Sequence, residues 1–175
     1  MIIAFCEDRK GDVWMGLFAG GLARYRAGRF TTFGPEAGLP VGTTHDLHLD
    51  QAGRLWVTTD QAGLVRIDDP AADHPRHKVY TTADGLSSNG VRCVTEDAQG
   101  RIYVASSHAI DRLDPATGQI KHYHLTEELD VSELAAAFCD RQGALWFGTP
   151  KHLTRLLPES NRSAQPAPAS GSAQT

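Results

Sequence analysis

The side chains best suited to chemistry in this 175-residue sequence are its eight histidines and a set of small polar groups. His45 and His48 are three apart, a spacing that sends them to opposite faces of a strand. His122 and His124 share a strand face, but no cysteine lies near them. His74 falls in the Pro- and Asp-rich stretch before His77. None of these makes a helical His pair or a Cys–His set of the kind zinc needs, so neither a metal nor a cofactor is expected. Cys6, Cys93 and Cys139 are odd in number and widely spaced, which fits buried small hydrophobes better than disulfides. No Gly-x-Ser-x-Gly elbow and no phosphate-cradling glycine loop before a helix occurs. The sequence is therefore read as non-enzymatic. What remains is hydrogen-bonding chemistry from Thr44, His45, Thr59, Asp60, Gln61, Ser88, Asn89, Ser107, His108, Lys151 and His152. Such groups suit a small polar ligand or a glycan, provided the fold gathers them on one face.

The elements that would gather them are written as a repeat. The aspartates Asp8, Asp50, Asp97 and Asp140 recur at intervals of 42, 47 and 43 residues. Three residues after each stands a glycine: Gly11, Gly53, Gly100 and Gly143. Six residues after each stands an aromatic: Trp14, Trp56, Tyr103 and Trp146. A second mark follows nine or ten residues later, ending in Arg24, Arg66, Arg112 and Arg155. An Asp opening a type I turn caps a backbone N–H two residues on, and glycine supplies the left-handed fourth position. The flanking runs, such as Leu55-Trp56-Val57, are β-branched and aromatic and of strand length. Outer runs such as Arg29–Phe33 and Ile120–Tyr123 complete each unit. A period of 40 to 45 residues with four antiparallel strands is that of a propeller blade. The fold class expected is all-β: a β-propeller of about four four-stranded antiparallel blades. Blades are placed at 2–41, 42–89, 90–133 and 134–157, with a Pro/Ala/Ser-rich linker or tail at 158–175. A turn of helix is expected in the connection Thr126–Leu134. The aromatics should fill the wedge between blades, and each Arg should lie over its sheet or pair with a carboxylate or carbonyl. The second turns and the inter-blade links should share the face that carries function.

These residues resemble the two-component regulator propeller repeat. The best matches are EDRKGDVWMG with GGLARY, DQAGRLWVTT with AGLVRI, and YTTADGLSSNGVRCVTEDAQG. Tyr103 in place of Trp, Ala109 in place of Gly, and TPKH at 149–152 depart from the pattern. The resemblance implies a sensor or ligand-binding module, extracytoplasmic or periplasmic, that precedes further domains of a sensor histidine kinase and is not itself catalytic. RLDPATGQIKHY (112–123) is also similar to the repeat of streptogramin-type propeller lyases. That would imply a His base, His108 or His152, with a divalent metal. A protein-interaction scaffold is the third reading.

Composition is that of an ordinary globular domain: 41% of residues are apolar and 22% charged, with a net charge of −4. No basic cluster suits nucleic acid, and no apolar run approaches the roughly 18 residues of a membrane span. MIIAFCEDRK lacks the basic n-region and length of a signal peptide. Four blades are fewer than this family's rings hold, so a partial, unclosed propeller from a larger protein is expected. Its open edges would invite self-association.

Overall fold

The computed structural model describes residues 1–39, 42–107, 109–124, 136–149 and 153–158. The expected helical turn at 126–134, and the predicted site residues His108, Lys151 and His152, lie outside the described residues.

Period-two alternation produces strands throughout. The first sheet is β1 (Ile2–Glu7), β2 (Val13–Leu17), β3 (Leu22–Arg26) and β4 (Arg29–Phe33). The second is β5 (Thr44–Leu49), β6 (Leu55–Thr59), β7 (Leu64–Ile67) and β8 (His77–Tyr80). The third is β9 (Val91–Glu96), β10 (Ile102–Ser106), β11 (Ala109–Leu113) and β12 (Ile120–His124). The fourth is β13 (Ala136–Cys139), β14 (Leu145–Gly148) and β15 (Leu153–Leu156). Each sheet is an antiparallel meander in chain order. Helical structure among the described residues is limited to single 3₁₀ turns, Pro35–Ala37 and Thr82–Asp84, in the links between sheets.

The inner strands β1, β5, β9 and β13 lie side by side in that order, so the sheets fan out from a common side. This is a β-propeller arrangement, and it is an open one. One face of each sheet packs on the opposite kind of face of the next. Trp14, Leu22 and Phe33 of sheet 1 meet Leu47, Leu55, Val57 and Val65 of sheet 2. Trp56, Leu64 and Tyr80 meet Val94, Ile102 and Val104. Tyr103, Ala105 and Ile110 meet Leu145 and Phe147. Each buried ring contributes roughly 2–3 kcal/mol of apolar burial. The two end faces are uncovered: Phe5, Tyr25 and Phe30 are exposed at one end, and Phe138 and Leu153 at the other.

The repeated marks form one local device. Asp50 Oδ1 accepts from Arg54 N at 2.8 Å, while Oδ2 accepts from Trp56 Nε1 at 2.8 Å. Asp8 and Asp140 hold Trp14 and Trp146 the same way, at 3.2 and 2.8 Å. The carboxylate therefore both caps the turn and orients the indole six residues on. Gly11, Gly53, Gly100 and Gly143 all take φ between 78° and 86°, the left-handed turn the motif requires. In the third unit the phenol Tyr103 takes the place of the indole and is buried beside Asp97. Burial, and then the Asp97 charge, push its pKa well up. The guanidinium of each repeat Arg with an indole beside it lies over that ring: Arg24 over Trp14 at 5.4 Å, Arg66 over Trp56 at 6.0 Å and Arg155 over Trp146 at 5.4 Å. Arg112 instead reaches the Tyr123 hydroxyl at 3.3 Å.

Candidate functional site

The predicted polar residues divide into those the fold consumes and those it presents. Thr44 and Thr59 are buried. The Thr44 hydroxyl donates to Gly21 O at 3.1 Å, and its methyl lies beneath Gly16. The Thr59 hydroxyl donates to Gly63 O and accepts from Ala62 N, closing the β6–β7 turn. These two buried threonines stitch strands and turns. The reason is that a hydroxyl at a strand end beside an open carbonyl satisfies the backbone first. Asn89 is held at both ends: its Oδ1 accepts from Thr82 N at 2.8 Å and its carbonyl accepts from Gly63 N at 2.8 Å. Ser88 Oγ accepts from Gly90 N. Gln61 is exposed and Ser107 half-buried on their turns.

The groups that remain together lie where the inner ends of sheets 2 and 3 meet. His45 Nε2 stands 3.0 Å from Arg92 Nη1. Arginine has only donors to offer, so His45 Nε2 is the acceptor and its proton sits on Nδ1. Burial, then the Arg92 charge, lower the His45 pKa, and Asp60 opposes them. Asp60 Oδ1 accepts from Thr43 N at 2.8 Å, fixing the β6–β7 turn against the link before β5. The result is an exposed guanidinium, a neutral imidazole and a carboxylate on one rim. That combination can bind hydroxyl-rich or anionic ligands through charge-assisted hydrogen bonds.

Sequence reasoning missed Arg92 and Asp46. Asp46 Oδ2 accepts from Val94 N at 3.0 Å, tying β5 to β9, and burial raises its pKa. The signal was available: the equivalent positions hold Ala4, Cys93 and Ala136, so a carboxylate there is an exception to the repeat. Asp111 is the same kind of exception within the Leu-x-Arg mark. It is fully buried and accepts from Ser87 N at 2.7 Å and Ser87 Oγ at 2.5 Å, with His122 Nδ1 at 2.7 Å. A Ser–His–Asp nucleophile needs serine and aspartate on opposite imidazole nitrogens. Here both meet Nδ1, so the cluster anchors the link into sheet 3 and does not activate a serine. The cysteines are free thiols, and burial pushes Cys93 up to about 12. Among the described residues, no three His, Cys, Asp or Glu side chains gather as metal ligands would, and no helix is long and apolar enough to cross a membrane.

With this geometry in place, the comparisons are specific. Residues 85–108, which run from the link through the third turn into β10, match the model of the two component regulator propeller. That stretch is similar to a two component regulator propeller repeat. No curated protein matches the sequence. Among solved structures, the propeller is similar to the extracellular domain of BT3049 from B. thetaiotaomicron, assigned as a hybrid two component system. The TM-score is 0.78 at 18% identity, over 99% of this chain and 25% of that one. It is similar to the extracellular domain of BT4673 from the same organism, assigned as a one component system. There the TM-score is 0.72 at 22% identity, over 90% of this chain and 23% of the other. Virginiamycin B lyase from Staphylococcus aureus, solved with quinupristin, matches with a TM-score of 0.69 at 20% identity, over 91% and 56% of the two chains. At these identities the likeness is one of fold. The propeller spans about a quarter of the length of the two extracellular domains.

Proposed function

We propose that this propeller is the ligand-recognising part of an extracytoplasmic sensor in a two-component signalling protein. The observation that carries the reading is the match of residues 85–108 to the two component regulator propeller. The rim built by His45, Asp60 and Arg92 supports recognition of a polar ligand, with a glycan as the class that best uses a guanidinium, an imidazole and a carboxylate together. Kinase or other effector chemistry would reside in further domains. The exposed end faces, with Phe5 and Phe30 at one and Phe138 and Leu153 at the other, suit contacts with further sheets of the same kind. Every interior contact in the array joins those two kinds of face.

The test is a thermal-shift screen of the chain against mono- and oligosaccharides, repeated with Arg92→Ala and His45→Ala. A saturable rise in the melting midpoint that both substitutions remove supports the reading. No rise across the panel, or a rise indifferent to Arg92→Ala, refutes it. EDTA-sensitive ring opening of quinupristin would replace it with a lyase reading.

A further inference from the structure

A pocket of about 130 Å³ lies in the wedge between sheets 1 and 2, near the outer strands and remote from the His45–Arg92 rim. Trp14, Phe33, Leu39 and Ile67 form its apolar walls, and His74 and His77 supply its polar lining. The four wall residues are buried, whereas His74 is exposed and His77 half-buried. The imidazoles therefore mark the solvent side.

The next unit shows what the repeat normally places here. Ile120 opens β12 opposite Leu113, as His77 opens β8 opposite Ile67. Gly85 and Gly38 are the left-handed caps of the corresponding 3₁₀ turns. The His77 ring is 3.1 Å from the Cβ position of Gly38, and the Ile120 side chain is 3.8 Å from that of Gly85. So the two side chains hold equivalent places. Ile120 packs against the cluster of Trp56, Leu86 and Leu113. Between sheets 1 and 2 a flat polar ring stands there instead, and the wedge keeps open volume.

The rim is also held in place. Arg24 Nη1 donates to Pro70 O at 2.9 Å and Ala72 O at 2.6 Å. Arg26 donates to Ala71 O at 2.6 Å and to Asp73 at 3.0 Å. Two guanidinium groups of sheet 1 thus fix the loop that carries His74, which is the preorganisation a binding site needs.

We propose that this pocket binds a monocyclic aromatic carboxylate. The ring would lie among Trp14, Phe33, Leu39 and Ile67, and the carboxylate would accept N–H bonds from His74 and His77. An apolar cavity of about 150 Å³ admits a benzene ring, so a pocket of about 130 Å³ that opens to solvent at His74 and His77 suits one ring with its carboxylate at the mouth. The site does not depend on the sensor reading of the loop face.

Benzoate is the probe. Titrated into the ¹⁵N-labelled chain, it should shift the Trp14 indole N–H resonance saturably in the millimolar range or below and leave the Trp146 indole unmoved. His77→Ile, which writes the next unit's residue into this one, should abolish that shift and raise the melting midpoint. His74→Ala, on an exposed loop position, should weaken benzoate by about tenfold while leaving the fold intact. Absence of a saturable Trp14 shift in the unmodified chain overturns the proposal. So does benzoate affinity that both variants leave unchanged.

Discussion

Replacing Asp50 with alanine tests the device on which the whole array is built. Its carboxylate is fully buried and accepts from Trp56 Nε1 at 2.8 Å, Arg54 N at 2.8 Å and Arg54 Nε at 2.6 Å. Alanine leaves a fully buried indole N–H without a partner, a loss of about 1–3 kcal/mol. Uncapping the turn adds about 1 kcal/mol, by analogy with removing a helix cap. The ion pair with Arg54 adds little, because removing a buried carboxylate also removes its desolvation cost. The sum is about 3 kcal/mol. Urea unfolding of the chain at neutral pH, with an unchanged slope, measures it. A cycle with Trp56→Phe isolates the indole bond, whose coupling should be about 1–2 kcal/mol. Asp97→Ala should cost less, because no indole N–H is left there without a partner. A loss below about 1 kcal/mol for Asp50→Ala, or zero coupling to Trp56, would refute the account of why Asp and the aromatic recur together.

Two further perturbations follow from packing and charge. A Cβ on Gly16 would come 2.5 Å from Thr44 Cγ2, so Gly16→Ala should destabilise by about 1–3 kcal/mol. Thr44→Ser in the same chain should restore part of that loss in urea midpoints, and no restoration would place the strain elsewhere. His45 has its folded-state pKa held below the ordinary histidine value of 6.5, first by burial and then by Arg92. The unfolded chain therefore takes up the proton first, so this residue costs nothing well above pH 6.5 and lowers stability as pH falls through and below that value. Urea midpoints measured from neutral to mildly acid pH should decline less steeply in His45→Gln than in the parent, and identical profiles would count against the burial of the ring.

The strands were legible because alternation and turn chemistry are local. The Asp-x-x-Gly turn and the aromatic after it specify a two-residue periodicity and a reversal with no knowledge of neighbours. The site was legible only in part. Sequence position marks His45, Asp60, Thr44 and Thr59 alike as polar groups of links and turns beside strand ends. Whether a hydroxyl at such an end meets a ligand or a carbonyl depends on what lies across the turn, as Gly21 and Gly63 do here. Arg92 was missed because an exposed arginine on an inner strand gains meaning only from the imidazole brought beside it, 47 residues away in sequence.

By itself, then, the sequence determined the unit: four recurrences of one turn, one aromatic and one arginine, each encoded within a few residues. Tertiary structure alone decided how units differ where they touch. It made Asp46 a strap between β5 and β9 and Asp111 an anchor for Ser87, and it left space at His77 where Ile120 packs against its neighbours. The physical reason is range. Turn hydrogen bonds and side-chain alternation act over two to six residues. The contacts that distinguish one unit from the next, such as Asp46 to Val94 and Asp111 to Ser87, join groups 48 and 24 residues apart, and only the packed sheets bring those together.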